Sequence, residues 1–320
     1  MKIGLDLMGG DFAPASPMQG VIDALNSFDK SINYILLGDL EDVKLNHKEA
    51  FQLLSSHTQV TFIDAPDRID MSESPTKSFA TKSKSSISIG YQMLASSDID
   101  VLIGAGNTGA MMVGAYYAIK PIEGIIRPAI SSFVPQYNGK RAILLDVGVN
   151  PDVRQDVLFQ FGLLGSAYSK MVEGVEKPRV ALLNIGSEPE KGNLVSHAAY
   201  SLLEATSKID FVGNIEGYDL FSDKADVIVT DGFTGNVVLK MAEGFYRAIK
   251  ADKLSSPFID TFNYEFYGGT PILGVNKAVI VGHGISSPLA FKNMIGQAYA
   301  VVQNDLVSTI KSIFRSINNY

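Results

Sequence analysis

The chain has 320 residues, 46% of them hydrophobic and 19% charged, which is long enough and apolar enough to bury a large core. Its formal net charge of −7 excludes a general nucleic-acid binder, which needs a basic face. There is no cysteine, so disulfides, thiolate metal sites and cysteine nucleophiles are excluded, and His47, His57, His197 and His283 stand at no spacing typical of zinc.

Taken in order, Lys2 to Leu7 reads as a first strand, turning acidic too early for a signal peptide. The adjacent Gly9 and Gly10 that follow admit close backbone approach. Met18 to Ala24 is expected as helix, Asn33 to Leu37 as strand, Phe51 to Ser55 as helix and Val60 to Ile63 as strand. This alternation predicts a layered α/β fold with a mostly parallel sheet, three layers deep. The segment from Ser72 to Ser86 is rich in Ser and Lys, with Lys77, Lys82 and Lys84 close together. It reads either as a solvated loop with a first helical turn or as an edge facing an anion or an acidic partner.

Helix is expected from Ser86 to Leu94, then a strand at Val101. Val101 to Ile119 carries no charge and meets the length test for a membrane span. Its glycines at 104, 106, 109 and 114, with Asn107 and Thr108, fit a strand, loop and helix better. A cytoplasmic protein is expected. Arg141 to Asp146 is read as strand, Val157 to Val172 as an apolar helix, Leu194 to Ala205 as helix and Phe211 to Ile215 as strand. Residues 249–267 are irregular and apolar, and a flap, a dimer contact and a lipid surface all suit them. Gly268–Gly274 and Ala278–Gly284 close the sheet, leaving His283 between glycines after a strand, where functional and structural roles both stand open. Ile295 to Ile317 is predicted as one amphipathic helix. The whole is expected as a single α/β/α domain over 1–320, or as two lobes of one with the site in their cleft.

Three stretches share one shape. Asp226–Lys240 runs from the β-branched Val227–Val229 through Thr230–Gly235 into a helix expected from Asn236, with Asn236 or Thr234 as N-cap. Asp100–Ala110 repeats it with Gly106, Asn107, Thr108 and Gly109, and Val180–Asn193 repeats it with Gly186 and Gly192. A strand, a glycine loop and a helix start aim backbone N–H groups and a helix dipole at one spot, which favours an anion such as phosphate. Any one of them alone is an ordinary βα turn. Three such loops at the carboxyl ends of parallel strands can converge on one crevice.

With these residues in view, the chain resembles the bacterial phosphate acyltransferase (PlsX) family over essentially its whole length. The match runs through Asp6–Asp11 with Pro14, Gly104–Ala110, Leu144–Gly148 with Asn150, and Asn184–Gly186 with Lys191–Asn193. It continues through Asp231–Asn236 with Lys240, His283–Gly284, and the basic stretch of Lys82 and Lys84 ahead of Ser85 and Ser86. Leu7 and Val149 depart from the family, which usually has Ala at both places.

The resemblance implies a fold similar to phosphotransacetylases and to isocitrate/isopropylmalate dehydrogenases. It also implies conversion of acyl-acyl-carrier protein and inorganic phosphate to acyl phosphate and free carrier, in phospholipid synthesis. A homodimer without metal, nucleotide or other cofactor is implied, with peripheral membrane contact and hand-off to a membrane glycerol-3-phosphate acyltransferase. In that chemistry Lys191 is the cationic contact for phosphate or oxyanion, and Asn107, Asn193 and Asn236 are uncharged donors. Gly106, Gly109, Gly192 and Gly235 supply backbone N–H groups, Asp6 and Asp231 orient the lysine or a donor, and His283 assists proton movement. Gly9, Gly10, Thr108, Gly186 and Thr234 complete the substrate loops, and Lys77, Lys82 and Lys84, with Arg247, Lys250 and Lys253, are candidates to dock the acidic carrier.

Three rivals differ from this reading. A phosphotransacetylase would use coenzyme A, a dehydrogenase would need an arginine group and metal-binding aspartates, and a lipid-binding scaffold would leave the glycine loops unexplained.

Overall fold

The structure is a computed structural model and describes residues 1–318. Among the described residues there are eleven strands: β1 (Lys2–Asp6), β2 (Asn33–Gly38), β3 (Val60–Asp64), β4 (Val101–Gly104), β5 (Ala129–Pro135), β6 (Arg141–Leu145), β7 (Arg179–Leu183), β8 (Asp210–Ile215), β9 (Val227–Val229), β10 (Gly269–Leu273) and β11 (Ala278–Gly282). They belong to two compact units. Unit 1 comprises Met1–Pro121 and Tyr264–Gln303, and unit 2 comprises Ile122–Asn263 and the chain from Asn304 on.

In unit 1 the strands lie in the order β3-β2-β1-β4-β11-β10, parallel except for β10, which runs antiparallel to β11. In unit 2 the order is β5-β6-β9-β7-β8, parallel except for the β5–β6 hairpin. Every residue of β4 and of β9 is buried, so both faces of these strands are covered, as a mostly parallel sheet between helical layers requires. In unit 1 the strand order reverses between β1 and β4, which places the loops after Asp6 and after Gly104 side by side at the carboxyl ends. Unit 2 builds its core from Leu144, Ala181, Ile215 and Ile228.

Several elements differ from the sequence reading. A helix over Leu40–Asn46 was not expected; Asp39 caps it by accepting from the amides of Glu41 and Asp42 at 3.0 and 3.1 Å. Strand β5 is also unforeseen, since its apolar run alternates like its neighbour only once the hairpin register is known. The tail is two helices, Pro288–Gln303 and Leu306–Asn318, broken where Asp305 takes φ 51°, and the two belong to different units. The charge-free stretch from Val101 divides into β4, the helix Thr108–Gly114 and a wide turn at Ala115–Ile119. No helix among the described residues is long and apolar enough to cross a membrane.

The apolar segment after residue 249 is more ordered than expected. The helix Gly232–Ala251 runs into it, and a four-residue helix, Pro257–Asp260, follows. Phe258 stacks within 4.6 Å of Tyr137 and 5.3 Å of Phe262, while Phe221 lies 5.2 Å from Phe262. These offset and edge-on ring contacts fold the segment onto unit 2.

Candidate functional site

At the carboxyl ends of β7 and β9, unit 2 holds a cavity of about 610 Å³. Its polar wall comes from Asp152, Asn184, Asn193, Ser196, Thr230, Asp231 and Thr234, and its apolar wall includes Leu158, Leu182, Val195 and Phe233. Two helices start at its edge. The helix Gly232–Ala251 begins four residues before the expected position, and its N-cap is Asp231 rather than Asn236 or Thr234. The reason is chemical: Asp231 accepts from the Thr234 amide at 2.8 Å and from the Thr234 hydroxyl at 2.9 Å, a stronger cap than either alternative. The Asp231 carboxylate is thereby engaged in holding the helix start.

The second helix, Leu194–Ala205, is capped by Asn193, whose Oδ1 accepts from the Ser196 amide at 2.9 Å. Among the described residues the amides of Leu194, Val195 and Phe233 have no acceptor, as first-turn amides of a helix do not. Two dipole ends and these amides make the cavity rim attractive to an anion. Gly192 turns the chain into this helix at φ +99°, and a Cβ there would sit on the Ser196 hydroxyl and 2.5 Å from Asn184 Oδ1. Lys191, the residue before it, is exposed and stands just outside the cavity lining, and its ammonium has no partner among the described residues. Gly186 is buried directly beneath the Lys191 side chain, with room for no Cβ of its own.

Below the cavity the chain after β6 is organised by Asp146, which is fully buried. Its carboxyl accepts from the amides of Val147 and Asn150, both at 2.7 Å, and from the Asn150 side chain at 2.8 Å. Burial pushes the Asp146 carboxyl above the ordinary carboxylate range, while these donors pull the other way. Asn150 also donates to the Pro128 carbonyl at 2.9 Å, and the Gly232 amide donates to the Asn150 carbonyl at 2.8 Å. Gly235 packs so tightly that a Cβ would overlap the Asp146 carbonyl oxygen; its own amide donates to the Asp231 carbonyl at 2.9 Å, which removes it as a substrate donor. Asn236 donates to the Val147 carbonyl at 3.2 Å, so one of its amide hydrogens is held by the loop.

The unit 1 residues form their own arrangement. Asp6 is buried and accepts from the Met8 amide at 2.9 Å. Burial raises its carboxyl, against hydrogen bonds from Ser86 and Met8 and the charge of Arg68. Gly9 passes so close to Gly106 that a Cβ would lie 2.6 Å from the Gly106 nitrogen, and Gly10 faces the Gly284 carbonyl. Asn107 caps the helix Thr108–Gly114 through the Ala110 amide at 2.9 Å, and its amino group donates to the carbonyls of Asp70 and Glu73 at 3.0 and 3.1 Å. Those bonds occupy the donor hydrogens expected for an oxyanion. Thr108 is exposed and Gly109 packs on Pro75. His283 stacks on Tyr264 at 5.5 Å and its Nδ1 accepts from the Ile285 amide at 3.4 Å.

The basic edge is partly internal. Lys82 binds Glu73 and the Arg68 carbonyl, and this pairing with Lys82, together with the Ser78 hydroxyl, holds the Glu73 carboxyl down to about 2. Lys77 and Lys84 remain exposed. Lys250 pairs with Asp260 at 3.0 Å and Arg247 lies 3.9 Å from Glu243, whereas Lys253 is exposed at φ +58°. Residues that the motif reading passed over as site-forming are Asp146, Asn184, Ser196 and Thr230. Asp146 and Asn184 each close a strand as the first polar residue after an apolar run, which is the signal that would have found them.

The sequence matches the family described as "Fatty acid synthesis protein" over residues 1–309. The phosphate acyltransferase of Listeria innocua serovar 6a is 37% identical over 98% of this chain and 96% of its own. Among solved structures, a phosphotransacetylase from Streptococcus pyogenes superposes with a TM-score of 0.63 at 17% identity, covering 94% of each chain. The 4-hydroxythreonine-4-phosphate dehydrogenase of Klebsiella pneumoniae does so at 0.52 and 10%, covering 95% of this chain and 98% of its own, so the fold is one that acyl-transfer and dehydrogenase proteins share. With a family match over residues 1–309 and relatives above 30% identity, the chain belongs to the fatty acid synthesis protein family, and curated relatives of it are named phosphate acyltransferases.

Proposed function

We propose that this protein transfers an acyl group from acyl-carrier protein to inorganic phosphate, giving acyl phosphate and free carrier thiol, as a step of phospholipid synthesis. The observation that carries the reading is the unit 2 cavity, where two capped helix starts leave the amides of the lining residues Val195 and Phe233 open and the unpaired Lys191 immediately precedes the lining residue Gly192. A phosphate oxygen attacks the thioester carbonyl, a C–O bond forms, the C–S bond breaks, and the proton of the phosphate ends on the departing sulfur. The leaving thiol has a pKa near that of cysteine, about 8.5, so it needs little acid assistance. Phosphate is already an anionic nucleophile near neutrality. The protein's task is to position it and to stabilise the tetrahedral oxyanion.

Lys191, Gly192 and Asn193 are assigned to phosphate and oxyanion, with Thr234 and Gly186 alongside. Asp231 and Asn236 hold the loops that carry them. The unit 1 loops with Asp6, Gly9, Gly10, Gly106, Thr108, Gly109 and His283 are assigned to substrate on the strength of the motif match. Exposed Lys77, Lys84 and Lys253 suit the acidic carrier, which favours a protein donor over coenzyme A.

Phe233, Val237, Met241 and Phe245 form an exposed apolar stripe at four-residue spacing on the helix Gly232–Ala251. It supports a homodimer, and with the 249–267 segment supports peripheral membrane contact and hand-off of the acyl phosphate. The test is incubation with a long-chain acyl-carrier protein and hydroxylamine, with and without phosphate, and in parallel with acyl-coenzyme A. Phosphate-dependent hydroxamate from the carrier thioester is expected. Equal use of acyl-coenzyme A would move the reading to a phosphotransacetylase, and no hydroxamate from either donor would overturn it.

A further inference from the structure

Strand β8 pairs with β7 in register at Val180 with Phe211, then resumes at Leu182 with Asn214, so β8 carries one extra residue between the two pairings. Gly213 takes φ +91° at this bulge, while a Cβ there would meet nothing closer than 3.8 Å. The glycine is thus required by the backbone angle and not by crowding. A bulge re-aims the side chain that follows it. Here that side chain is Asn214, which is buried.

Asn214 donates from Nδ2 to the Glu188 carbonyl at 2.8 Å and accepts at Oδ1 from Asn184 Nδ2 at 3.1 Å. The same Asn184 amino group donates to the Lys191 carbonyl at 3.0 Å, and Asn184 Oδ1 accepts from the Ile185 amide at 2.8 Å. The Lys191 amide closes the turn on the Glu188 carbonyl at 3.1 Å. Two amide side chains from the ends of adjacent strands therefore hold the carbonyls at both ends of the Glu188–Lys191 turn. The turn itself is exposed at each of its residues and has no apolar anchor of its own.

We infer that Asn214, outside the cavity wall and outside every glycine loop, is the positioning residue that fixes the turn carrying Lys191 immediately before the lining residue Gly192. The inference rests on the phosphate reading of Lys191 for its kinetic consequence, and on the hydrogen bonds alone for its structural one. Its action is indirect, because Asn214 reaches only a carbonyl and a neighbouring amide.

The experiment uses the full chain with Asn214→Leu, which removes both bonds. Asn214→Asp is the second variant; it keeps the acceptor for Asn184, loses the donor to Glu188, and preserves volume should the leucine variant misfold. Amide hydrogen exchange in residues 185–193 is expected to speed at least tenfold in either variant, with the helix Leu194–Ala205 unchanged. In phosphate-dependent transfer, kcat is expected to fall about tenfold, with KM for phosphate moving far less, the same parameter that Lys191→Met lowers. Combined with Lys191→Met, the Asn214 change should add nothing further.

Unchanged exchange in 185–193 overturns the inference. So does a double variant whose losses multiply, since Asn214 would then act independently of Lys191. If Lys191→Met transfers as fast as the parent, the phosphate reading has failed, and the exchange result still decides the clamp by itself.

Discussion

The loop after β4 and the loop after β7 share a sequence shape, an apolar strand followed by glycines and an asparagine ahead of a helix, yet they leave different chemistry on offer. In the β4 loop Asn107 is buried and directs both ends of its side chain inward, one to a helix cap and the other to the carbonyls of the 70–73 segment. In the β7 loop Asn193 uses only its oxygen for capping, and the amides of Leu194 and Val195 remain open beside an unpaired lysine. The difference teaches that a glycine–asparagine loop is an anion site only where the first helical turn is left unsatisfied by the protein itself.

The sharpest break of this comparison lies beneath the β9 loop. Asp146→Leu leaves several buried amides without an acceptor, and a loss of about 3–5 kcal/mol in a denaturant titration is expected. A loss under 1 kcal/mol would show that the carboxyl is dispensable to the loop. Next in size, Lys191→Met should lower phosphate-dependent turnover about a hundredfold with an unchanged thermal midpoint, the scale of removing one oxyanion donor. Asn107→Ala inverts that pattern. It should cost about 1–3 kcal/mol of stability through a lost cap and buried bonds, while turnover per folded molecule stays within about threefold of the parent. If Asn107→Ala instead abolished turnover at full stability, the two loops would be functionally alike.

The smallest effect concerns acid. Because the Glu73 carboxyl is held at about 2 against an ordinary 4.5, folding gains from its ionised form above pH 4.5 and loses that gain as pH falls towards 2. Glu73→Gln should therefore flatten the acid limb of stability in that window and leave neutral pH nearly untouched, since the pair is partly exposed to solvent. An unchanged acid limb would mean that Lys82 is not paired in solution and is free to join Lys77 and Lys84 at a docking edge.

Much of the fold was legible because parallel strands buried on both faces are written as continuous apolar runs, as in Val227–Val229 and Val101–Gly104. Helix bodies such as Leu194–Ala205 were legible from periodicity. Starts were harder. Asp231 and Asn236 are both competent N-caps by residue type, and the choice falls to Asp231, which takes both the amide and the hydroxyl of Thr234 while Gly232 and Gly235 pack against Asn150 and Asp146, 82 and 89 residues away. The break at Asp305 was hidden for the same reason, since both flanking helices are amphipathic and only their separate docking faces divide them. At the site, the loop glycines and Lys191 were visible as motif. The Asn184–Asn214 relay was not, because it joins the ends of two strands through a bulge that has no periodic signature.

The path of the chain through its two units also bears on how the protein is made. Strand β11 lies between β4 and β10, and all three belong to unit 1, yet β11 begins at Ala278 while β4 ends at Gly104. During synthesis the first 121 residues therefore emerge with one side of β4 unpaired, and they stay so until more than 150 further residues, the whole middle of unit 2 among them, have followed. An open, apolar strand edge is a template for pairing with another nascent chain. A message truncated near residue 263 would release that edge permanently, so fragments ending there should aggregate where the finished chain does not.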